Sequence, residues 1–204
     1  MGATSGERGA PQVSDAQVSG PLTSDALLAQ LDAWGLGYRL YHHPPLRTVA
    51  DAKAAEDRMR VPGEAALRIK NLYLRDRRKR NFLVTLEQDR QVDLKALSGL
   101  IGASGGLSFG SPERLMEHLG IRPGAVSPLA MITGQAKGVR FCLDPAARRA
   151  EVIYMHPLVN DRSVAMTRAD FEAFLDRIGC AVTWLDGLAG GPGDGPAGAG
   201  AQAR

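Results

Sequence analysis

A single α+β domain, with a mixed, mostly antiparallel sheet of about seven strands flanked by about five helices, is the fold class that the sequence predicts. Three observations carry this prediction. Helical and strand-like segments are interspersed without the regular β-α alternation of a doubly wound sheet. Two β-rich runs, Ala66 to Arg75 and Asn81 to Glu87, flank the polar segment Asp76 to Arg80 at hairpin spacing. The stretch from Thr23 to Asp186, 164 residues, is ample for one core.

The expected domain spans residues 23–186, between tails at 1–22 and 187–204. From Gly187 to Arg204, 14 of 18 residues are Gly, Ala or Pro, and Met1 to Leu22 is small, polar and aperiodic. Neither end carries enough apolar surface to offset its ordering entropy, so both are expected to be disordered. No apolar run approaches the ~20 residues of a membrane helix, and the N-terminus lacks the apolar stretch of a signal peptide, so a cytoplasmic protein is expected. The formal charge is +3. With −1 in the first tail (Glu7, Arg8, Asp15) and 0 in the second (Asp194, Arg204), the domain carries +4, a mild basic bias compatible with an anionic partner.

Ser24 is placed to cap a first helix through Leu27, Leu28, Leu31 and Trp34, stopped by Gly35 and Gly37. Tyr38 to His43 alternates like a strand and ends at Pro44-Pro45. Thr48-x-x-Asp51 resembles a capping box for a short helix to about Met59. After the hairpin, Asp93 caps a helix through Leu97 and Ile101, and Ser111-Pro112-Glu113 opens another that ends at Gly120. A short strand fits Leu107 to Phe109, and further strands fit Val139 to Leu143, Glu151 to Met155 and Ser163 to Met166. Thr167-x-x-Asp170 caps a last helix through Phe171, Phe174 and Ile178, before a final strand, Val182 to Leu185.

There is no phosphate-binding glycine loop, no G-x-S-x-G elbow and no H-E-x-x-H, so the common nucleotide-binding and hydrolase signatures are missing. Cys142 and Cys180 sit in apolar segments without metal-ligand spacing and read as buried thiols. His42 and His43 are strand neighbours that point to opposite faces, cannot jointly chelate a metal without a bulge, and read as ordinary strand and loop histidines. The run Arg75 to Arg80 at the hairpin tip is either a solvated turn or a phosphate contact.

Three segments stand out together. They are Arg68-Ile-Lys-Asn71 inside an apolar strand, Gly124-x-x-x-Pro128, and His156-Pro-Leu-Val-Asn160-Asp161 at a strand end. Polar groups in such places cost free energy unless they are satisfied. With the Phe82-Leu-Val strand and the closing Phe171 to Trp184 segment, their order and spacing give the chain a resemblance to the YbaK-like aminoacyl-tRNA deacylases. That family includes the editing domain of bacterial prolyl-tRNA synthetases, and the resemblance, over about Leu22 to Leu185, leans toward free-standing Ala-tRNA(Pro) deacylases.

The resemblance implies hydrolysis of alanine from the terminal ribose of proline tRNA. No cofactor and no metal is implied, and neither a membrane nor DNA is an expected partner. An aminoacyl ester is already activated, so a positioned water and a stabilised oxyanion suffice without a covalent nucleophile. Lys70, Asn71, Gly124 and His156 are the implied catalytic positions: Lys70 holds a phosphate or ribose oxygen, Asn71 supplies an amide, Gly124 a backbone N–H, and His156 shapes the pocket. The free ribose hydroxyl is the implied orienter of the water. Ser127, Pro128, Asn160 and Asp161 are implied substrate-binding positions.

Lys70 and Asn71 pose a geometric difficulty, since neighbours on a regular strand face opposite sides. Either the strand is bulged, or one of the two acts from behind. Contacts to the acceptor stem are needed to spare Ala-tRNA(Ala); by charge, Arg47, Arg58, Arg78, Lys79 and Arg80 are candidates, the last three foremost. Prolyl-tRNA synthetase or an elongation factor is a further candidate partner. Two other readings stay open: a Cys-tRNA(Pro) deacylase, and a noncatalytic tRNA-binding module that has kept the fold.

Overall fold

The computed structural model describes residues 20–46 and 49–189. The Thr48 cap, the Arg47 candidate and most of both expected tails lie outside these residues. At the edges of the expected tails, Leu22 packs on the core and Leu188 is buried in it, so the ordered body reaches both positions.

Eight strands form one sheet. In chain order they are β1 (Arg39–His42), β2 (Ala66–Arg75), β3 (Asn81–Glu87), β4 (Ser108–Phe109), β5 (Arg140–Leu143), β6 (Val152–Met155), β7 (Arg162–Thr167) and β8 (Val182–Trp184). The order across the sheet is β1-β7-β6-β2-β3-β5-β8, with β4 also on β2. Pairs β1–β7, β6–β7, β2–β3 and β2–β4 are antiparallel, whereas β2–β6, β3–β5 and β5–β8 are parallel.

The helices are α1 (Ser24–Ala33), α2 (Val49–Met59), α3 (Leu94–Leu100), α4 (Pro112–Leu119), α5 (Met131–Gly134) and α6 (Arg168–Arg177). The caps of α3, α4 and α6 follow the sequence signals, and one expectation is corrected: Thr23, not Ser24, caps α1. Thr23 has the extended backbone of a cap, and its hydroxyl accepts the Ala26 N–H at 3.2 Å, while Ser24 is already helical and buried. In α6 the Thr167 hydroxyl accepts the Asp170 N–H at 3.1 Å and donates to the Asp170 carboxylate at 2.6 Å.

Alternation along β2 divides the core. Leu67, Ile69 and Tyr73 face one side with Leu27, Leu31, Phe171 and Phe174 of α1 and α6. Leu72 and Leu74 face the other, with Phe82, Val84 and Leu97. On this second side, over the β1-β7-β6 half, α2 contributes Ala55 and Met59 against Tyr154.

Candidate active site

The site arises from a break in the pairing of one β2 edge. On that edge β6 pairs only with Ala66 to Arg68, and β4 only with Leu74 and Arg75, followed by a bond from the Gly110 N–H to the Tyr73 carbonyl at 2.9 Å. Between these pairings lies the segment from Ile69 to Leu72. Its other edge is continuously paired with β3, Lys70 opposite Leu86 and Asn71 opposite Thr85. The ladder there is regular. Lys70 and Asn71 therefore face opposite sides of the sheet without a bulge, and since the Arg68 carbonyl points to β3, accepting from Gln88 N–H at 3.0 Å, alternation turns the Asn71 peptide groups to the open edge.

A cavity of about 130 Å3 occupies this break. Asn71, His156, Ser163, Arg68, Tyr154, Met155, Glu56 and Gln88 are among its lining residues. The Asn71 amide donates to the Val126 carbonyl at 2.9 Å and accepts from the Thr85 hydroxyl at 2.7 Å, so it ties the loop after Gly124 to the central strands. His156 donates from Nδ1 to the Arg162 carbonyl at 2.8 Å. A carbonyl only accepts, so the neutral ring keeps Nε2 as an acceptor. Burial holds its pKa below the usual histidine value, against the Arg162 carbonyl, and the nearby His43 pushes the same way. The rings of His43 and His156 lie 6.0 Å apart. By the same logic, His43 donates from Nδ1 to the Pro44 carbonyl at 2.9 Å and accepts at Nε2 from Ser163 at 3.0 Å.

Lys70 stands on the face of β2 that also carries Arg68, and its ammonium donates to the Arg90 carbonyl. Arg90 is itself clamped in a buried ion pair with Asp144, with a second contact of 3.1 Å, and donates to the Leu188 carbonyl at 2.8 Å. Lys70 does not line the cavity wall.

Gly124 lies farther out, at φ +89°, where a Cβ would meet the Asn160 amide nitrogen at 3.3 Å. The contact brings the Gly124 loop against the His156 to Asp161 loop, and Asn160 and Asp161 line a neighbouring groove rather than the cavity. The backbone carbonyls of Asn160 and Asp161 accept from Leu46 and His43 N–H at 3.3 and 3.0 Å, which aligns the 43–46 segment with the site. Leu158 in this loop is buried at φ +66°, a left-handed conformation that strains a leucine. Ser127 is fully buried and uses its hydroxyl to accept the Leu129 N–H at 3.3 Å, capping a short 3-10 turn that Pro128 opens. Both shape the loop.

At the hairpin tip, Arg78 and Lys79 are exposed. Arg80 is committed elsewhere: it pairs with Asp76 at 2.7 Å and donates to the Gly102 carbonyl at 2.8 Å. Burial alone would raise the Asp76 pKa, but N–H groups of Ser104 and Arg80 and the Arg80 guanidinium outweigh it and hold the carboxyl at about 2. Burial pushes the thiols of Cys142 and Cys180 up to about 12 and about 11, away from nucleophilic chemistry. Among the described residues no group of three or more His, Cys, Asp or Glu is arranged to hold a metal, and no helix is long and apolar enough to cross a membrane.

Sequence reasoning set His43 aside as an ordinary histidine and did not single out Thr85, Tyr154 or Ser163. The sheet order brings them together. The one available signal was His43 directly ahead of Pro44-Pro45, where a strand must end and its last side chain can turn inward.

Known proteins share both the sequence and the fold. The aminoacyl-tRNA editing domain model matches residues 43–174. The prolyl-tRNA editing protein ProX of Acetoanaerobium sticklandii is 30% identical over 148 residues, covering 72% of this chain and 87% of its own. The prolyl-tRNA synthetase associated domain-containing protein 1 of Bos taurus is 30% identical over 158 residues, 76% of this chain and 89% of its own. Among solved structures, hypothetical protein APE2540 superposes with a TM-score of 0.57 at 19% identity, over 76% of this chain and 95% of its own. A protein proposed to be a trans-editing enzyme for prolyl tRNA synthetase gives 0.56 at 19% identity, over 78% and 94%. These structural likenesses show the α+β editing fold, and the family match together with the two relatives shows that this chain belongs to the YbaK-like aminoacyl-tRNA editing domain family.

Proposed function

We propose that the protein deacylates Ala-tRNA(Pro) in trans, hydrolysing the ester between alanine and the terminal ribose. The observation that carries the reading is the cavity at the open edge of β2, where amide, imidazole and hydroxyl groups converge. The similarity to a prolyl-tRNA editing protein supports the choice of tRNA.

The alanyl group enters the cavity with its carbonyl toward the open edge. The Asn71 N–H on that edge stabilises the oxyanion as water adds to the carbonyl carbon. His156 Nε2, neutral at pH 7, accepts a hydrogen bond from the substrate and fixes its pose. The free ribose hydroxyl orients the water; when the tetrahedral adduct collapses, the ribose oxygen leaves with a proton and alanine is released. Lys70 exchanges its contact with the Arg90 carbonyl for a ribose oxygen of the acceptor end. Asn71 acts from the opposite face as a positioning residue, holding the Val126 loop. Exclusion of the proline ring, which is larger than the alanine methyl, is what spares Pro-tRNA(Pro).

Single-turnover deacylation of Ala-, Cys-, Ser- and Pro-tRNA(Pro) side by side tests the reading. Fastest hydrolysis of the alanyl ester, with the prolyl ester spared, is expected. Preference for the cysteinyl ester would move the assignment to a Cys-tRNA(Pro) deacylase, and no hydrolysis of any of the four would leave a tRNA-binding module.

A further inference from the structure

Arg68 is a cation at the site with no carboxylate on it. Its guanidinium lies 3.5 Å above the centre of the Tyr154 ring, and its other polar contact is a marginal 3.5 Å to the Glu56 carbonyl. Arg39, Arg80, Arg90 and Arg162, by contrast, each meet a carboxylate: Glu64, Asp76, Asp144 and Asp25. Among the described residues Arg68 forms no such pair. Glu56 lines the same cavity outside ion-pair distance, and Glu64 is occupied by Arg39 and Tyr154.

The ring under Arg68 is anchored at its hydroxyl. The Tyr154 hydroxyl donates to the Met59 carbonyl at 2.9 Å, contacts Glu64 at 3.0 Å and accepts from Arg39 at 3.2 Å. Arg68 and Tyr154 are register partners at the last β2–β6 pairing, directly before the break, so the guanidinium sits at the cavity rim on the sheet face that carries Lys70. A stacked arginine alone gains little at an exposed site. Burial lowers the Arg68 pKa against the nearby Tyr154, Glu56 and Glu64, which is the direction for a charge drawn out of water without a full partner.

We infer that Arg68 binds the phosphate on the 5′ side of the substrate's terminal nucleoside, with Tyr154 holding the guanidinium plane in position. The inference rests on the cavity receiving an aminoacylated terminal nucleotide. It divides the acceptor end between two cations on one sheet face. The planar fork of Arg68 suits two phosphate oxygens, and the compact ammonium of Lys70 a single ribose oxygen.

Binding of AMP, adenosine and inorganic phosphate to the full-length protein tests this without turnover. The parent is expected to bind AMP about 10- to 150-fold more tightly than adenosine, the value of a charge-assisted contact. Arg68→Gln should abolish that preference with adenosine affinity unchanged, and Arg68→Lys should restore only part of it. In single-turnover titrations against Ala-tRNA(Pro), Arg68→Gln should raise the half-saturating enzyme concentration while the maximal rate stays near the parent's. Equal affinity of the parent for AMP and adenosine, no AMP binding at millimolar concentration, or a preference that survives Arg68→Gln would overturn the inference. Inorganic phosphate competing as well as AMP would also overturn it, in favour of a free-phosphate site. An intact AMP preference in a protein that hydrolyses none of the four charged tRNAs would refute the proposed activity and leave the phosphate site standing.

Discussion

The two halves of β2 are built to different rules. From Tyr73 to Arg75 the strand is flanked by β3 on one edge and by β4 with Gly110 on the other, and Tyr73 and Leu74 are buried on opposite faces. From Arg68 to Asn71 the same strand keeps β3 but runs out of partner on its other edge, and three of its four residues are polar. A central strand tolerates an arginine, a lysine and an asparagine only where their polar groups find partners or open space. The break in pairing supplies both. Continuity of the ladder makes one half a core element, and its interruption makes the other half a site.

Breaking the core half should have the largest effect. Leu74 is fully buried, so Leu74→Ala should destabilise the fold by ~2–5 kcal/mol, read by denaturant unfolding, with turnover per folded molecule retained. If turnover fell in proportion to the loss of stability even under conditions where the variant is fully folded, the two halves would not be separable. Lys70→Ala should do the reverse. Loss of a charge-assisted contact of ~1.5–3 kcal/mol lowers deacylation about 10- to 150-fold. Its melt should stay near the parent's, and Lys70→Arg should restore little because a planar fork fits a compact oxygen site poorly. An alanine variant that cleaves at the parental rate would take Lys70 out of the site.

Acidification sharpens the comparison through His156. Its folded pKa lies below the unfolded value of about 6.5, so below pH 6.5 the unfolded chain takes up a proton that the folded site resists. Stability should therefore fall as pH drops through about 6.5 and level off below the folded pKa. His156→Asn should flatten this part of the curve, and superimposable parent and variant curves between pH 5 and 7 would refute the assignment.

At the hairpin tip, the double change of Arg78 and Lys79 to alanine should weaken tRNA binding modestly, reducing the log-log salt slope by roughly two. An unaltered slope would mean that the tip is only a solvated turn. Arg80→Ala should instead loosen the turn, since Arg80 holds Asp76 and Gly102. The smallest effect is expected from ending the chain after Ala189: a change within about 0.5 kcal/mol, because Leu188 and its bond to Arg90 are kept. A clear drop in melting temperature would show that residues beyond 189 dock on the body.

Local signals were sufficient for much of this molecule. The caps at Asp93, Ser111 and Thr167, the hairpin around Asp76 to Arg80 and the glycine stop at Gly120 are encoded within a few residues of where they act, because hydrogen bonds between i and i+3 or i+4 depend on neighbours alone. The polar interruption of an apolar strand at Arg68, Lys70 and Asn71 was likewise visible as a departure from pattern, and the alternation of a strand already required Lys70 and Asn71 to face apart. What occupies the space around them depended on long-range pairing. Only the order β1-β7-β6-β2 places His43, Ser163 and His156 together, and only the early end of β6 opens the edge that they surround. Whether a basic residue is free or committed was decided the same way: Arg80 and Arg68 are equally cationic in sequence, but folding gives one a carboxylate and leaves the other over an aromatic ring at the rim of a cavity. A charge's type is set by its own residue, whereas its partner is set by the strands and helices that folding brings within a few ångströms of it.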